Sequence, residues 1–591
     1  MRDLISQALR YYQVRQYQKA VSLCNRVLIK SPHSADALNI LIQSLFASGQ
    51  YQIALTTLTT FETHHKSSLW FLQHKANIYR RLKDTDREFS VLQTLNTLCP
   101  EDSTVLARIV QVSCVIGEYT CAKNAMDKIE LMLGEESEIT LNAKVTYYKS
   151  TRRYDSALEY SEMLMGSPSR SVNTVQKHAA LLRLNGESHT SISVLEEVIQ
   201  KRPSSSLFLS LANAHSDCGH LVQAEELYKK AIILDESNVD AHINLSSTMW
   251  ELGKSKTFAD SFKPHVQNGS LAFLLAYISA LNNAKQFEQA YEQLLLHPSL
   301  VNETGYTILM LRSLMGLNLF EKAMRYISSF KGKVVPTALL LEFAIVAFEN
   351  KAYKNAISLL NDVLKAEKDN QLALAYKYSV LREMGAKDGL DKYYQEFTLF
   401  RHLSVSEKST FIGQLVNSLT GMHLSDRHPL NQTLKNGTQT RGHLFSSKQP
   451  DIQALKTEVD SAVFKFMQQQ GMDIKRFTNA RGAPNYIGSW SVKLKNGGFH
   501  SNHIHAHGRI SGVVYIALPK TIECKEKKEG WLTLGQPFEN GNTNIEPDVM
   551  IKPYVSQCVL FRSFVWHGTT PFSALDDRIT VAFDVGEYGI D

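Results

Sequence analysis

The chain has 591 residues, 43% hydrophobic and 21% charged, with 15 prolines and 30 glycines scattered along it, so wholesale disorder, a collagen-like fibre and a low-complexity tract are excluded. At roughly 100–200 residues per domain it is too long for a single core. The net charge of +6, from 64 basic and 58 acidic residues, is not gathered into a run that would follow a phosphate backbone, so no nucleic-acid partner is expected.

Seven cysteines (Cys24, Cys99, Cys114, Cys121, Cys218, Cys524, Cys558) lie far apart with no CxxC pair, which favours reduced thiols in a cytoplasmic protein over a disulfide framework. The start, MRDLISQALRYYQVRQYQ, carries charge where a secretory leader needs an apolar stretch and reads as a first helix. The longest apolar run, VPTALLLEFAIVAF at 335–348, is short and broken by Glu342, so no membrane span is expected.

The first two-thirds repeats itself. Ala20, Ala54 and Ala122 are separated by multiples of 34, Glu88 fills the missing slot, and Pro32 and Pro100 keep the same step. Around Ala20 stand a small residue twelve before (Ala8), an aromatic nine before (Tyr11), and apolar residues four and seven after (Cys24, Val27). The series runs on through Ala157, Ser191 and Ala224, is disturbed by KSKTFADSFKPHVQNGS after Gly253, and returns at Ala290, Ala323 and Ala356 with a step of 33. Physically this is two packed helices per unit, with small residues where the helices approach and proline where the second one stops. The pattern resembles tetratricopeptide repeats over about residues 1–400. That resemblance implies an all-α superhelical solenoid whose concave face takes a protein or peptide. Asn77 and Asn213 follow small residues at a slot where some such repeats clamp a terminal carboxylate, but two so far apart read as ordinary surface residues.

Residues 401–427 form a connecting segment, and a β-rich domain is expected over 428–591. The polar, turn-forming stretch at 428–450 leads into one amphipathic helix with Ile452, Leu455, Val459, Val463 and Met467 on a stripe. Beyond Gly471, NYIGSWSVKL (485–494), ISGVVYIAL (510–518), VSQCVLFRS (555–563) and RITVAFDV (578–585) read as strands of an antiparallel sandwich or barrel, with lysine-rich KTIECKEKKEG (520–530) as a solvated loop.

Chemistry concentrates in GGFHSNHIHAHG. If this segment is a strand, His503, His505 and His507 share one face, because side chains alternate with period two. Neutral imidazole suits first-row metals such as iron and zinc, and His567, following an apolar strand, is the natural distal ligand. Arg578 and Thr580, two apart in a strand, can share one carboxylate.

H-x-H, SGVVYI, LFRSFVWHGTTPF and DDRITVAFDV, in that order, resemble the iron(II)/2-oxoglutarate-dependent oxygenases of bacterial and phage genomes, a family sometimes fused to tetratricopeptide repeats. The resemblance covers about 425–590 and implies a double-stranded β-helix, or jelly roll. It further implies Fe(II) as cofactor and 2-oxoglutarate as cosubstrate, a metal held by His503, His505 and His567, a distal 2-oxoglutarate carboxylate held by Arg578 and Thr580, and hydroxylation of a substrate recruited by the repeats. His505 departs from the usual two-histidine-one-carboxylate triad, so the site carries one more positive charge than usual. Asp548, Asp576 and Asp577 are alternative carboxylates, and Trp490, Tyr515, Trp531 and Trp566 are candidate pocket walls. Two rivals stay open. One is a cupin-type metal enzyme, suggested by Gly497, a five-residue gap and His503-x-His505; the other is a non-enzymatic scaffold with a degenerate barrel.

Overall fold

The step of 34 places one small residue per repeat where two helices touch, and those residues have no exposed surface. Ala8, Ala20, Ala54, Ala122 and Ala157, and further on Ala212, Ala224, Ala290, Ala323 and Ala356, are all 0% exposed in the computed structural model. The structure describes every residue except 66–67, 168–169, 387–400, 403–407, 426, 431, 480, 524–525, 538–544 and 589–591. Cys524, the end of the expected repeat region and part of the connecting segment therefore lie outside the described residues. Cys24, Cys99, Cys114, Cys121 and Cys218 are free thiols.

Two compact units result, Met1–Arg170 and Ser171–Tyr588. The first is a succession of helix pairs from Arg2–Gln13 to Tyr154–Met165. Glu88 stands in an alanine slot and is 3% exposed. It survives there because Arg108 grips both carboxylate oxygens, Nε to Oε1 at 2.6 Å and Nη2 to Oε2 at 2.9 Å. A bidentate ion pair here replaces the methyl contact made elsewhere.

The second unit continues the pairs from Val172–Leu184 to Gln371–Glu383 and then adds sheet. Ser191, in its alanine slot, donates its hydroxyl to the Ala179 carbonyl at 2.9 Å, so the buried polar atom is satisfied. Asn213 accepts from Tyr228 Oη at 2.7 Å and Asn244 Nδ2 at 2.9 Å within the repeats. The disturbed stretch after Gly253 replaces a full helix with a 3-10 turn, Asp260–Phe262, and the short helix Lys263–Gln267, anchored by buried Phe258, Phe262 and Val266.

Nine strands follow among the described residues: β1 (Arg401–His402), β2 (Leu434–Gln439), β3 (Tyr486–His500), β4 (Ile510–Ala517), β5 (Leu532–Leu534), β6 (Val549–Ile551), β7 (Gln557–Arg562), β8 (His567–Thr569) and β9 (Arg578–Val585). They make a six-stranded sheet in the order β1-β7-β4-β9-β3-β2 and a three-stranded sheet in the order β6-β5-β8, with all the pairings antiparallel. Helix Pro450–Gln469 lays Ile452, Leu455, Val459, Val463 and Met467, all 0% exposed, on one face of the larger sheet. Alternation sorts β9 accordingly: Ile579, Val581, Phe583 and Val585 join that apolar core, and Arg578, Thr580, Ala582 and Asp584 are left for the opposite face.

Within this unit the repeats hold the sheet by specific contacts. Trp566 donates its indole N–H to the Ala375 carbonyl at 3.2 Å and meets the Tyr376 ring edge-on at 5.2 Å. Asp548 accepts from Tyr378 Oη at 2.8 Å and lies 3.2 Å from the Arg382 guanidinium. Arg441, just after β2, pairs with Glu251, which is 2% exposed, and bonds the Ser216 hydroxyl. No helix among the described residues is long and apolar enough to cross a membrane.

Candidate metal centre

The histidine segment differs from the expectation. Residues 501–509 are not a strand; they form a turn-rich loop between β3 and β4, and His507 is exposed and is not part of the cluster. A single bridge does what a strand was expected to do: His503 and His567 exchange backbone N–H···O bonds at 2.9 Å in each direction, and the His505 N–H reaches the Ser563 carbonyl at 3.0 Å. These contacts pin the H-x-H pair against β8. One ring nitrogen from each of His503, His505 and His567 lies within 4.8 Å of the other two. The ring centroids are 4.2 Å (503 to 567), 4.9 Å (505 to 567) and 5.1 Å (503 to 505) apart.

The second nitrogens fix the tautomers. His503 Nδ1 is 2.8 Å from the Ser501 carbonyl, His567 Nδ1 is 2.9 Å from the Val565 carbonyl, and His505 Nδ1 is 2.5 Å from Asp584 Oδ1. Carbonyls and carboxylates only accept, so each Nδ1 carries the proton and each Nε2 keeps its lone pair. Burial holds His503 and His567 neutral: it takes His503 down to about 3, helped by neighbouring His505, and His567 well below the usual histidine range, helped by His503. Three imidazoles, each oriented through its Nδ1, are the donor set a first-row divalent cation needs.

Arg578 lines the same cavity as these rings, between the two sheets. It is 2% exposed, its Nε has no hydrogen-bond partner, and among the described residues it makes no ion pair; the Tyr515 ring lies 5.3 Å from the guanidinium. Desolvation lowers its pKa. A buried cation with unspent donors is costly unless an anion meets it, and a carboxylate matches its fork. Thr580, opposite Val492 on β3 and Tyr515 on β4, shares the face and lines the cavity. The residues present thus fit both a divalent metal and a dicarboxylate.

Of the alternative carboxylates, Asp548 is spent on Tyr378 and Arg382, Asp577 lies 3.8 Å from Lys493, and Asp576 is exposed beside it in the turn before β9. The carboxylate that matters is Asp584, which the sequence reading passed over. Its Oδ1 accepts from both His505 and Ser511 Oγ, the latter at 2.6 Å, and Ser511 in turn bonds Ser563 Oγ at 2.9 Å. The signal was present in the period-two series 578, 580, 582, 584. Trp490 and Tyr515 line the cavity, whereas Trp531 and Trp566 do not. His500 also lines it, stacked on His503 at 5.9 Å, with its backbone N–H on Thr569 Oγ1 at 2.8 Å.

Residues 488–584, which carry all of these groups, match the family described as "Putative 2OG-Fe(II) oxygenase". The chain joins tetratricopeptide-like repeats to a domain of that family. Solved structures similar to the helical part include a tetratricopeptide repeat protein from Parabacteroides merdae (19% identity, TM-score 0.39, 42% of this chain and 98% of that one). Others are the APC/C hetero-tetramer Cut9-Hcn1 (15%, 0.27, 66% and 85%) and Pseudomonas aeruginosa pilF (17%, 0.30, 36% and 96%). These scores are low, and the repeat architecture rests on the alanine register and the helix pairing. No curated protein matches the chain.

Proposed function

We propose that the chain is an Fe(II)- and 2-oxoglutarate-dependent oxygenase that hydroxylates a substrate recruited by its repeats, and that residues 428–591 form a double-stranded β-helix oxygenase domain. The observation that carries this is the pairing, in one cavity, of three imidazoles whose Nδ1 atoms are all tied down with a buried arginine that lacks an anion.

When bound, iron and 2-oxoglutarate would supply oxidative hydroxylation with dioxygen as oxidant, one oxygen atom entering the substrate and the other the succinate that 2-oxoglutarate becomes on losing carbon dioxide. The chain's residues provide the setting. His503, His505 and His567 would hold the metal through one ring lone pair each. Three neutral imidazoles bring no charge of their own to a divalent cation. Asp584 contributes one negative unit at one remove, through the His505 Nδ1–H bond, which raises the basicity of the opposite nitrogen and fixes the ring. Arg578, with Thr580, holds the distal carboxylate of 2-oxoglutarate and so sets where its keto end lies. Val492, Leu532 and Phe561 give the cavity apolar walls that exclude water. A cupin-type site gives Arg578 no task, and a degenerate barrel gives no reason for three tied imidazoles. The protein is proposed to act in the cytoplasm.

The test is turnover of 2-oxoglutarate by the full chain with Fe(II) in air, measured as succinate. Succinate formation that disappears in His503→Ala and Arg578→Ala is the expected result. Production no higher in the natural protein than in those variants would rule the reading out.

A further inference from the structure

We infer that the substrate of this site is a polypeptide segment lying in a cleft between the repeats and the sheet, so that helical repeats form one wall of the active site. This rests on the oxygenase reading above. The cavity holding the histidines and Arg578 has a volume of only about 70 Å³. Ligand sites commonly run to roughly 300–1,000 Å³, so a second molecule beside a bound dicarboxylate has little room there and must lie mostly outside it. Gln439, the last residue of β2, forms part of that cavity's wall beside Trp490. The same Gln439 borders a second cavity of about 540 Å³.

The far wall of this second cavity belongs to the repeats: the turns around Gly186 and Gly219, which join helix to helix with positive φ of 78° and 79°. The two walls are pinned together at several points. A side chain on Gly186 would collide with Ser446, one on Gly219 would press on Leu424, and half-buried Arg441 pairs with buried Glu251. Between these points the seam is hollow. Leu221 and Met422 give it apolar surface, and Glu187, His189 and His443 add polar groups, beside the turn backbones. Such a mixed lining on the scale of several residues suits an extended chain, one of whose side chains passes Gln439 to reach the metal. Binding energy collected along the seam, remote from the reacting atom, is then available to position that side chain.

The test uses the full chain with Fe(II) and 2-oxoglutarate, and two probes: a randomised synthetic peptide library, and the free amino acids. Succinate release and mass gain of one oxygen are read for the natural protein and for two variants that fill the seam from opposite walls, Thr190→Trp and Lys448→Trp. Neither position touches the histidine cavity, so bound iron and succinate formation without any probe stay unchanged and report an intact fold. The library is expected to stimulate succinate release and to gain oxygen, with both effects cut by at least about tenfold in each variant. Stimulation by amino acids and not by peptides, no peptide effect on a protein that does turn over 2-oxoglutarate, or undiminished peptide oxidation in both variants would overturn the inference. A natural protein that forms no succinate under any condition fails the oxygenase reading instead.

Discussion

Asp584→Asn isolates how a site with three histidines manages without a ligating carboxylate. Asp584 is 7% exposed, and one of its oxygens accepts both His505 Nδ1–H at 2.5 Å and Ser511 Oγ–H at 2.6 Å. Asparagine keeps an acceptor oxygen at that place, so ring orientation and the Ser511 contact survive while the negative charge is lost. Groups that orient and polarise a ligating histidine are worth about 10–100-fold in metal affinity. At about 1.4 kcal/mol per factor of ten, that is roughly 1.4–2.7 kcal/mol. Anaerobic titration with Co(II), followed in the visible, or with Fe(II) against a chelator, should place Asp584→Asn in this window. Asp584→Ala, which also frees the ring, should fall at its weak-binding end or beyond. Asp577→Asn, which removes the same charge from a turn where Asp577 lies 3.8 Å from Lys493, serves as control and should bind as the natural protein does. An Asp584→Asn variant with an unchanged melting temperature and metal affinity within about twofold of the natural protein would show that Asp584 is only a structural partner of Ser511 and would refute the charge argument.

Acidification should destabilise the sheet through His423, whose ring bonds Thr438 Oγ1 at 2.8 Å and Ser491 Oγ at 3.1 Å. Burial, with Lys493 nearby, lowers its pKa from the ordinary 6.5 to about 4. The unfolded chain therefore takes up the proton first, so this contribution is complete above pH 6.5 and is lost as pH falls toward 4. At about 1.4 kcal/mol per unit the loss is about 3 kcal/mol at pH 4, and His423→Asn should flatten that part of a denaturant-measured stability profile. Arg441→Ala should cost about 3–5 kcal/mol in urea unfolding, because it strands Glu251, 2% exposed, without a partner; Arg441→Ala with Glu251→Ala should recover part of this loss. A single variant as stable as the natural protein would show that the pair does not hold sheet to repeats.

Much of this was legible because tight helix contacts admit only small side chains, and the alanine step printed that requirement directly. The exceptions are instructive: Glu88 and Ser191 fill the same slots by pairing with Arg108 and Ala179, contacts that no spacing announces. The four apolar strands and the amphipathic helix also read correctly, since each buries one face. β2 did not, because LKNGTQ is a polar edge strand with a bulge between Lys435 and Gly437 and a positive φ of 49° at Asn436. β5, β6 and β8, three residues each, are too short to show a period. His503, His505 and His567 come together by bridging and not by the strand alternation expected of the segment. Asp584 was missed because the second face of β9 was followed only through Arg578 and Thr580 and not on to 584.

The most direct measurement is an anaerobic titration of the full chain with Fe(II) and then 2-oxoglutarate, watching for the visible metal-to-ligand charge-transfer band. The account predicts a band that saturates with 2-oxoglutarate, is weakened in Arg578→Ala although iron still binds, and is absent in His503→Ala, which loses the iron itself. Iron bound at a single site with no band at any 2-oxoglutarate concentration, or a band indifferent to Arg578, would contradict it.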